Sequence, residues 1–278
     1  MKIIEQKITT ILRPTGINLA PYVINPYQGC QMGCLFCYAQ FSKKALKEEL
    51  PWGQYVKVKI NALEVLEREL DEKNPEKVLL GSTTECFQAA EKKYGVTEAV
   101  LKLLNQRKIK YIILTRSLLV CEYISLLGEG NCEAIYFTID TLPGKIRECF
   151  EPYAVSVEDS VKTANLLAKN NIPVIAYFCP VMPELFEFPH AAEKMPGVEK
   201  AEFEIMNFKM AGIPNIIKLI KQVYPEYVKV YERLGKDREF YGKTVIGLKT
   251  NIQKSAQKYF RDIKIHSHAF EDFFQNKY

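Results

Sequence analysis

Three of the chain's eight cysteines fall within the stretch NPYQGCQMGCLFCYAQ (25–40). Cys30, Cys34 and Cys37 form a C-x3-C-x2-C run set among polar residues and glycines. A structural zinc site needs four ligands, usually two C-x2-C-like pairs or a cysteine pair with a histidine pair. Here the nearest histidine is His190, and the next cysteine is Cys86, in a different strand–loop unit. A thioredoxin-like C-x2-C pair would begin a helix and leave Cys30 unexplained. A ferredoxin-type cluster takes four cysteines, typically with a proline after the last. Three structural core cysteines sit poorly with the polar, glycine-rich GCQMGC. A further reading is a [4Fe–4S] cluster with three protein ligands and one open iron, since an open coordination position marks a catalytic metal site.

The elements that must position such a site follow a repeating pattern. Short apolar runs rich in β-branched residues read as strands: YVIN (22–25), KVLLGS (77–82), YIILT (111–115), AIYFTID (134–140), VIAYFCPV (174–181) and AEFEIM (201–206). Between them lie amphipathic stretches with helical periodicity, such as 61–73, 96–106 and 157–171. The last follows Ser156, a capping residue, with Glu158 and Asp159 in its first turn, favourable against the helix dipole. Strands apolar on both faces that alternate with helices imply an α/β fold with a parallel sheet, either open or curled into a barrel. Such folds place their chemistry at the carboxyl ends of the strands. Polar residues gather there: GSTTE, TRS, TIDT and CPVMPE follow or end successive strands, and the cysteine run follows the first. From about Gly212 the chain reads as helices around one irregular stretch, REFYGKTVIG (238–247). No linker separates this part from the body. The expected organisation is a body over 1–211 that carries the site, with a basic extension over 212–278 packed on the same domain.

At 278 residues, 47% hydrophobic and 26% charged, the chain can bury a sizeable core. No apolar run is long enough to cross a membrane, and MKIIEQKITT lacks the apolar core of a secretory signal. The expected compartment is the cytoplasm, where thiols stay reduced and eight cysteines point to metal or redox chemistry. Residues 209–278 hold 14 Lys or Arg against 7 Asp or Glu, while the preceding residues hold 24 against 26. A basic end on a near-neutral body fits an anionic partner such as nucleic acid, or simply a solvated basic helix.

An early C-x3-C-x-(aromatic)-C run after a strand resembles the radical S-adenosylmethionine (SAM) superfamily. YVINPYQGCQMGCLFCYAQF, PWGQYVKVKINALEVL, GSTTECFQAAEKKYGVT, LTRS and FEPYAVSVEDSVKTANLLAKNNIPVIAYFCPVMP resemble its spore photoproduct lyase-like branch, across most of residues 20–185. The resemblance implies a partial parallel (βα)6 TIM-like barrel with a mostly helical C-terminal extension. It implies a [4Fe–4S] cluster on Cys30, Cys34 and Cys37, with SAM on the open iron. An electron donor such as flavodoxin or ferredoxin would drive SAM cleavage to methionine and a 5′-deoxyadenosyl radical. Gly29 and Gly33 would let the backbone wrap the cluster. Phe36 matches the aromatic position near the SAM adenine. Ser82, Thr84 and Glu85 would meet the SAM amino group, Arg116 its carboxylate, and Thr138 and Asp140 the ribose hydroxyls.

The sequence also departs from spore photoproduct lyase. Ser82 stands where that enzyme has a cysteine that returns a hydrogen atom, and an O–H is a far poorer donor than a thiol. Phe36 replaces a tyrosine, whereas Tyr38 matches one. Tyr38 and Cys86 are therefore the candidate catalytic residues for hydrogen return. Cys121, Cys132 and Cys149 read as core, and Cys179 lies at a strand end facing the expected site. His266 and His268 in KIHSHAF alternate as on a strand and read as surface or packing residues. Basic residues interleaved with Tyr224, Tyr227, Tyr231, Phe240, Tyr241, Tyr259 and Phe260 suit a DNA or RNA substrate, although such spacing also describes a packing stripe. The stretch EFYGKTVIG faintly resembles a lesion-contacting hairpin, with Tyr241 at the matching place. The alternatives are a radical SAM enzyme acting on a peptide or small molecule and, more distantly, a non-catalytic iron–sulfur protein.

Overall fold

A computed structural model of the chain describes residues 1–43, 45–207 and 213–268. Its strands are β1 (Lys2–Gln6), β2 (Leu12–Pro14), β3 (Tyr22–Ile24), β4 (Tyr27–Gln28), β5 (Tyr55–Lys59), β6 (Lys77–Leu80), β7 (Lys110–Thr115), β8 (Cys132–Ile139), β9 (Val174–Val181), β10 (Lys200–Ile205) and β11 (Asp262–His266). The longer helices are α1 (Ala62–Lys73), α2 (Val96–Gln106), α3 (Gly144–Phe150), α4 (Val157–Lys169), α5 (Ile213–Val223), α6 (Val228–Leu234) and α7 (Arg238–Ala256).

The six expected strands are β3 and β6 to β10, and each pairs in parallel with the next. They form most of a sheet ordered β11-β10-β9-β8-β7-β6-β3-β2, in which β2 is antiparallel to β3. This is an α/β fold with a mostly parallel sheet, as the strand–helix alternation implies. Its strands bury alternate residues on two faces because a strand's side-chain period is two. On one face Val78, Leu80, Ile113, Phe137 and Phe178 join Leu66, Leu101 and Leu167 of the helices in the main core. On the other, Val23, Leu79, Ile112, Ala134, Tyr136 and Ile175 form a separate cluster lining the inner face.

Local chemistry accounts for the helix positions. The Ser156 hydroxyl accepts from the Asp159 amide at 3.0 Å, opening α4 where its capping signal lies, and Val161, Ala164 and Leu167 bury one stripe. A second, three-stranded sheet, β1-β5-β4, was not anticipated. Its strand β4 leads directly into the cysteine run, so this small sheet seats the loop.

Two expectations at the C-terminal end need correction. The stretch 238–247 is not irregular but the first half of the 19-residue α7, which opens with Asp237 accepting from the Phe240 amide at 2.9 Å. Gly242 and Gly247 weaken its propensity, yet Tyr241, Val245, Leu248, Ile252 and Ala256 bury a continuous stripe that outweighs them. The likeness of EFYGKTVIG to a hairpin is therefore set aside. The second correction concerns the extension as helices alone: KIHSHAF, which alternates as on a strand as expected, includes most of β11, a seventh parallel strand paired with β10. The extension thus completes the sheet as well as adding helices. The expected boundary at residues 211 and 212 lies outside the described residues.

Candidate functional site

Cys30, Cys34 and Cys37 sit in a tight loop after β4 and pack with Met32, Phe36 and Trp52 in a small apolar cluster of their own. The loop turns through Gly29 and Gly33. At Gly29, with φ +80°, a Cβ would stand 2.5 Å from the Tyr55 carbonyl oxygen; Gly33, with φ +62°, faces Gly53 at 3.4 Å. Within the loop the Gly33 amide donates to the Cys30 carbonyl at 3.3 Å and the Cys37 amide to the Cys34 carbonyl at 3.1 Å. The Gln40 side-chain amide donates to the Leu35 carbonyl at 2.6 Å and to that of Cys37 at 3.1 Å. From below, the Thr84 hydroxyl donates to the Gly29 carbonyl at 2.5 Å, and Gln88 accepts from the Gln31 amide at 3.1 Å. The segment after β8 covers the loop from above: the Leu35 amide donates to the Phe150 carbonyl at 2.8 Å, and the Phe36 and Phe150 rings stack at 6.3 Å. Gln40, Gln88 and Phe150 carry no sequence signal, because each is recognisable only through the partner that the fold brings to it.

The residues after β6 divide into two groups. Ser82 is part-exposed; its hydroxyl accepts from Asn25 at 3.3 Å, and its carbonyl accepts from the Tyr38 hydroxyl. Tyr38 thus reaches from the cysteine loop to the β6 loop, and the structure brings these two sequence candidates together. Thr84 and Glu85 are buried and engaged within the protein. The Glu85 carboxylate accepts from the Thr115 hydroxyl at 2.6 Å and from the amides of Phe87 and Arg116, each at 3.0 Å. Burial raises its pKa against the pull of these donors. Both residues lock the β6 loop to its neighbours rather than offering free oxygens.

Arg116, just beyond β7, forms an ion pair with Glu151, which is buried. Burial pushes the Glu151 carboxyl well up, and Arg116 only partly offsets this. Asp140 follows β8, with Oδ2 2.7 Å from Arg147 Nε, but neither atom has a hydrogen bond of good geometry. Glu151 Oε2 also has no hydrogen-bond partner. Arg116, Asp140, Arg147 and Glu151 therefore make a buried charged layer at the carboxyl ends of the strands. Sequence reasoning missed Arg147 and Glu151. Thr138 is part-exposed on the inner face, in register with Tyr177.

The cysteines outside the loop have different surroundings. Cys86 is fully buried in the main core, with its Sγ 3.2 Å from where a Cβ of Gly81 would stand, so its thiol is not on the rim. Cys132 is also in the core, and Cys121 and Cys149 pack against it. Cys179 is part-exposed, and burial, followed by the Glu204 charge, raises its pKa, while the Arg116 charge lowers it. Arg116 acts on both Cys34 and Cys179, which places the Cys179 thiol near the charged layer over the cysteine loop.

Comparisons with known proteins agree with this geometry, a parallel half-barrel bearing a three-cysteine loop beyond the first of its parallel strands. The model of the Radical SAM superfamily matches residues 24–193. The chain belongs to the radical SAM superfamily. It is 29% identical over 231 residues to an uncharacterized protein of Methanocaldococcus jannaschii, covering 83% of this chain and 86% of that one. It is similar in fold to spore photoproduct lyase complexed with dinucleoside spore photoproduct, with a TM-score of 0.63 and 15% identity, covering 95% of this chain and 81% of that one. It is also similar to Streptococcus suis SuiB bound to S-adenosylmethionine, with a TM-score of 0.52 and 11% identity, covering 97% of this chain and 54% of that one.

Membership implies a [4Fe–4S] cluster and SAM, and the residues present fit both. Burial raises the thiols of Cys30, Cys34 and Cys37 to about 12 each, so as thiolates they need a strong positive partner, which iron supplies. Among the described residues no three His, Cys, Asp or Glu side chains close on a single-ion position. Cys30, Cys34 and Cys37 would hold the cluster as thiolates, and the cluster would leave one iron for SAM. Asp140 Oδ2, paired in charge with Arg147, and Glu151 Oε2 each lack a well-aligned hydrogen bond, and such oxygens are acceptors of the kind that an ammonium or hydroxyl group requires.

Proposed function

We propose that this radical SAM enzyme acts on a nucleic-acid substrate, in the manner of the spore photoproduct lyase branch. The observation that carries the reading is the fold likeness to a lyase holding a dinucleoside photoproduct over 95% of this chain, joined to the basic C-terminal end. When bound, the cluster and SAM supply a 5′-deoxyadenosyl radical able to take a hydrogen atom from the substrate. Cys30, Cys34 and Cys37 hold the cluster, and Phe36, stacked on Phe150, forms the apolar side of the adenine site. Ser82 is the β6-loop oxygen that meets the SAM amino group, with Thr84 and Glu85 fixing its loop. Arg116 meets the SAM carboxylate, and Thr138 and Asp140 meet the ribose. Tyr38, bonded to the Ser82 carbonyl, stands where hydrogen return to the product is controlled. Cys86 lies in the core, and Cys179 is the thiol near the inner rim. Residues 1–211 serve as the catalytic barrel and 212–278 as its basic extension, with flavodoxin or ferredoxin as the reductant.

A second reading is a peptide or small-molecule substrate, and one observation favours it. The aromatics of the basic end are largely spent on packing: Tyr231, Tyr241 and Phe260 are buried, and Tyr259 stacks on Phe188 at 5.6 Å. They leave little platform for stacked bases.

The test is anaerobic reconstitution followed by incubation with SAM and dithionite, for wild type and Cys34→Ala, measuring 5′-deoxyadenosine by chromatography. Formation in wild type and loss of both product and iron in the variant is the expected result. A cluster that forms without binding SAM would instead favour a non-catalytic iron–sulfur protein. Stimulation of 5′-deoxyadenosine by oligonucleotides, and not by peptides, would separate the two substrate readings.

A further inference from the structure

The inner face of the last two strands carries a ladder of ionisable side chains that the cofactor site does not use. Ala201, Phe203 and Ile205 of β10 enter the helix-side core, with Ile263 and Ile265 of β11 packed against it. Alternation therefore sends Glu202, Glu204, Lys264 and His266 to the opposite face. Glu202 accepts from the Tyr136 hydroxyl at 3.2 Å, and Tyr136 belongs to the inner-face cluster, which fixes the direction.

His266 Nε2 lies 2.7 Å from Glu202 Oε2, and Lys264 Nζ lies 3.5 Å from Glu202 Oε1. One rung further on, His268 Nε2 lies 2.7 Å from Glu204 Oε1, and Glu204 Oε2 accepts from Tyr177 at 3.2 Å. The Glu202 side chain is 8% exposed, whereas His266 is 44% and Lys264 61% exposed. One buried carboxylate thus anchors two cations that face outward. Its hydrogen bond to His266 raises the imidazole's pKa and outweighs burial, which lowers it. When His266 is protonated, the unit of Lys264, His266 and Glu202 carries a net single positive charge. Around it stand Tyr136 from β8, Tyr177 and Cys179 from β9, Glu204 from β10 and His268 beyond β11. With Nε2 held by Glu202, the other imidazole nitrogen, Nδ1, has no hydrogen bond among the described residues and can donate to a ligand.

We propose that Lys264 and His266, anchored by Glu202, form a phosphate-binding subsite on the inner face, where the substrate's phosphate docks. This rests on the nucleic-acid reading for the identity of the substrate but not for the existence of the site. The carboxylate saturates one side of each cation and leaves the other side for the anion. Glu204, with Tyr177 and His268 already on its two oxygens, is held one rung away.

The chain has three histidines, so selective 15N-histidine labelling of the reconstituted full-length protein resolves each imidazole. Inorganic phosphate, at constant ionic strength, is expected to shift the His266 ring signals and move its titration midpoint upward. His190, exposed and paired only with Glu193, serves as the internal control. Lys264→Met, at an exposed position, is expected to weaken the phosphate effect by about fivefold or more. His266→Gln, which keeps an N–H for Glu202, is expected to abolish phosphate binding measured by isothermal titration calorimetry, the readout used for all three proteins beside the ring signals, without disturbing the strand. An equal response at His190, or an unchanged response in Lys264→Met, overturns the proposal. A dinucleoside monophosphate and its neutral methylphosphonate analogue then identify the source of the phosphate. If inorganic phosphate acts on His266 and the dinucleotide does not, the subsite stands and the nucleic-acid reading falls. If the dinucleotide binds equally well to wild type and both variants, the subsite falls and that reading stands.

Discussion

Glu85 accepts three hydrogen bonds on two buried oxygens, and this decides what it can do for a cofactor. A glutamine there would present an amide N–H to donors already in place. Glu85→Gln is expected to lower stability by about 2 kcal/mol in urea unfolding, because a buried donor is left facing another. A small effect would show the carboxylate to be dispensable for the loop. Gly29→Ala combines a left-handed φ with a methyl 2.5 Å from the Tyr55 carbonyl oxygen. The expected outcome is a loss of about 1–3 kcal/mol, with iron content after reconstitution falling in parallel. The three cysteines stood out in sequence because their spacing leaves few chemistries open, and the structure places them together in one loop after β4. Thr84 and Glu85 looked equivalent to Ser82 in sequence, yet only contacts from the cysteine loop and β7 show that they are already spent.

At the scale of elements, the parallel strands and their helices follow from patterns of period two and 3.6, and all six expected strands are present. The misses have physical causes. Glycines at 242 and 247 argue locally against helix, but the buried stripe of α7 prevails. β11 is short and polar on one face, and β10 supplies the carboxylates that turn His266 and His268 from apparent surface residues into one side of a ladder. That pairing predicts a pH response. His266 is raised above 6.5, so its contribution to stability is fully present below that value and lost as pH rises through the raised one. For Glu202, burial is outweighed chiefly by the bond to His266, and its pKa is lowered from 4.5; its contribution is present above 4.5 and lost as pH falls through the lowered value. Thermal unfolding midpoints are expected to be flat between pH 4.5 and 6.5 and to decline on the alkaline side. His266→Gln should remove that alkaline decline, and a decline that persists would place its origin elsewhere.

At the scale of the whole molecule, no helix among the described residues is long and apolar enough to cross a membrane, and the charge is concentrated at the C-terminal end. Lys254 and Lys258 are exposed along and just beyond the last turn of α7. If this end tracks a phosphate backbone, replacing both with glutamine should reduce the salt dependence of DNA binding by about two counterions, uniformly across sequences. An unchanged slope would remove this face from the interface.

Sequence alone indicated the chemistry class, through the resemblance of its C-x3-C-x2-C run after a strand to the radical SAM superfamily, and the strand pattern, because burial imposes alternation. Only the tertiary structure decided which polar groups remain available. Arg116 with Glu151, Tyr38 with Ser82 and Glu202 with His266 are separated by 35, 44 and 64 residues. Hydrogen bonds and ion pairs over such distances depend on how strands are ordered in the sheet, and no local spacing encodes that order.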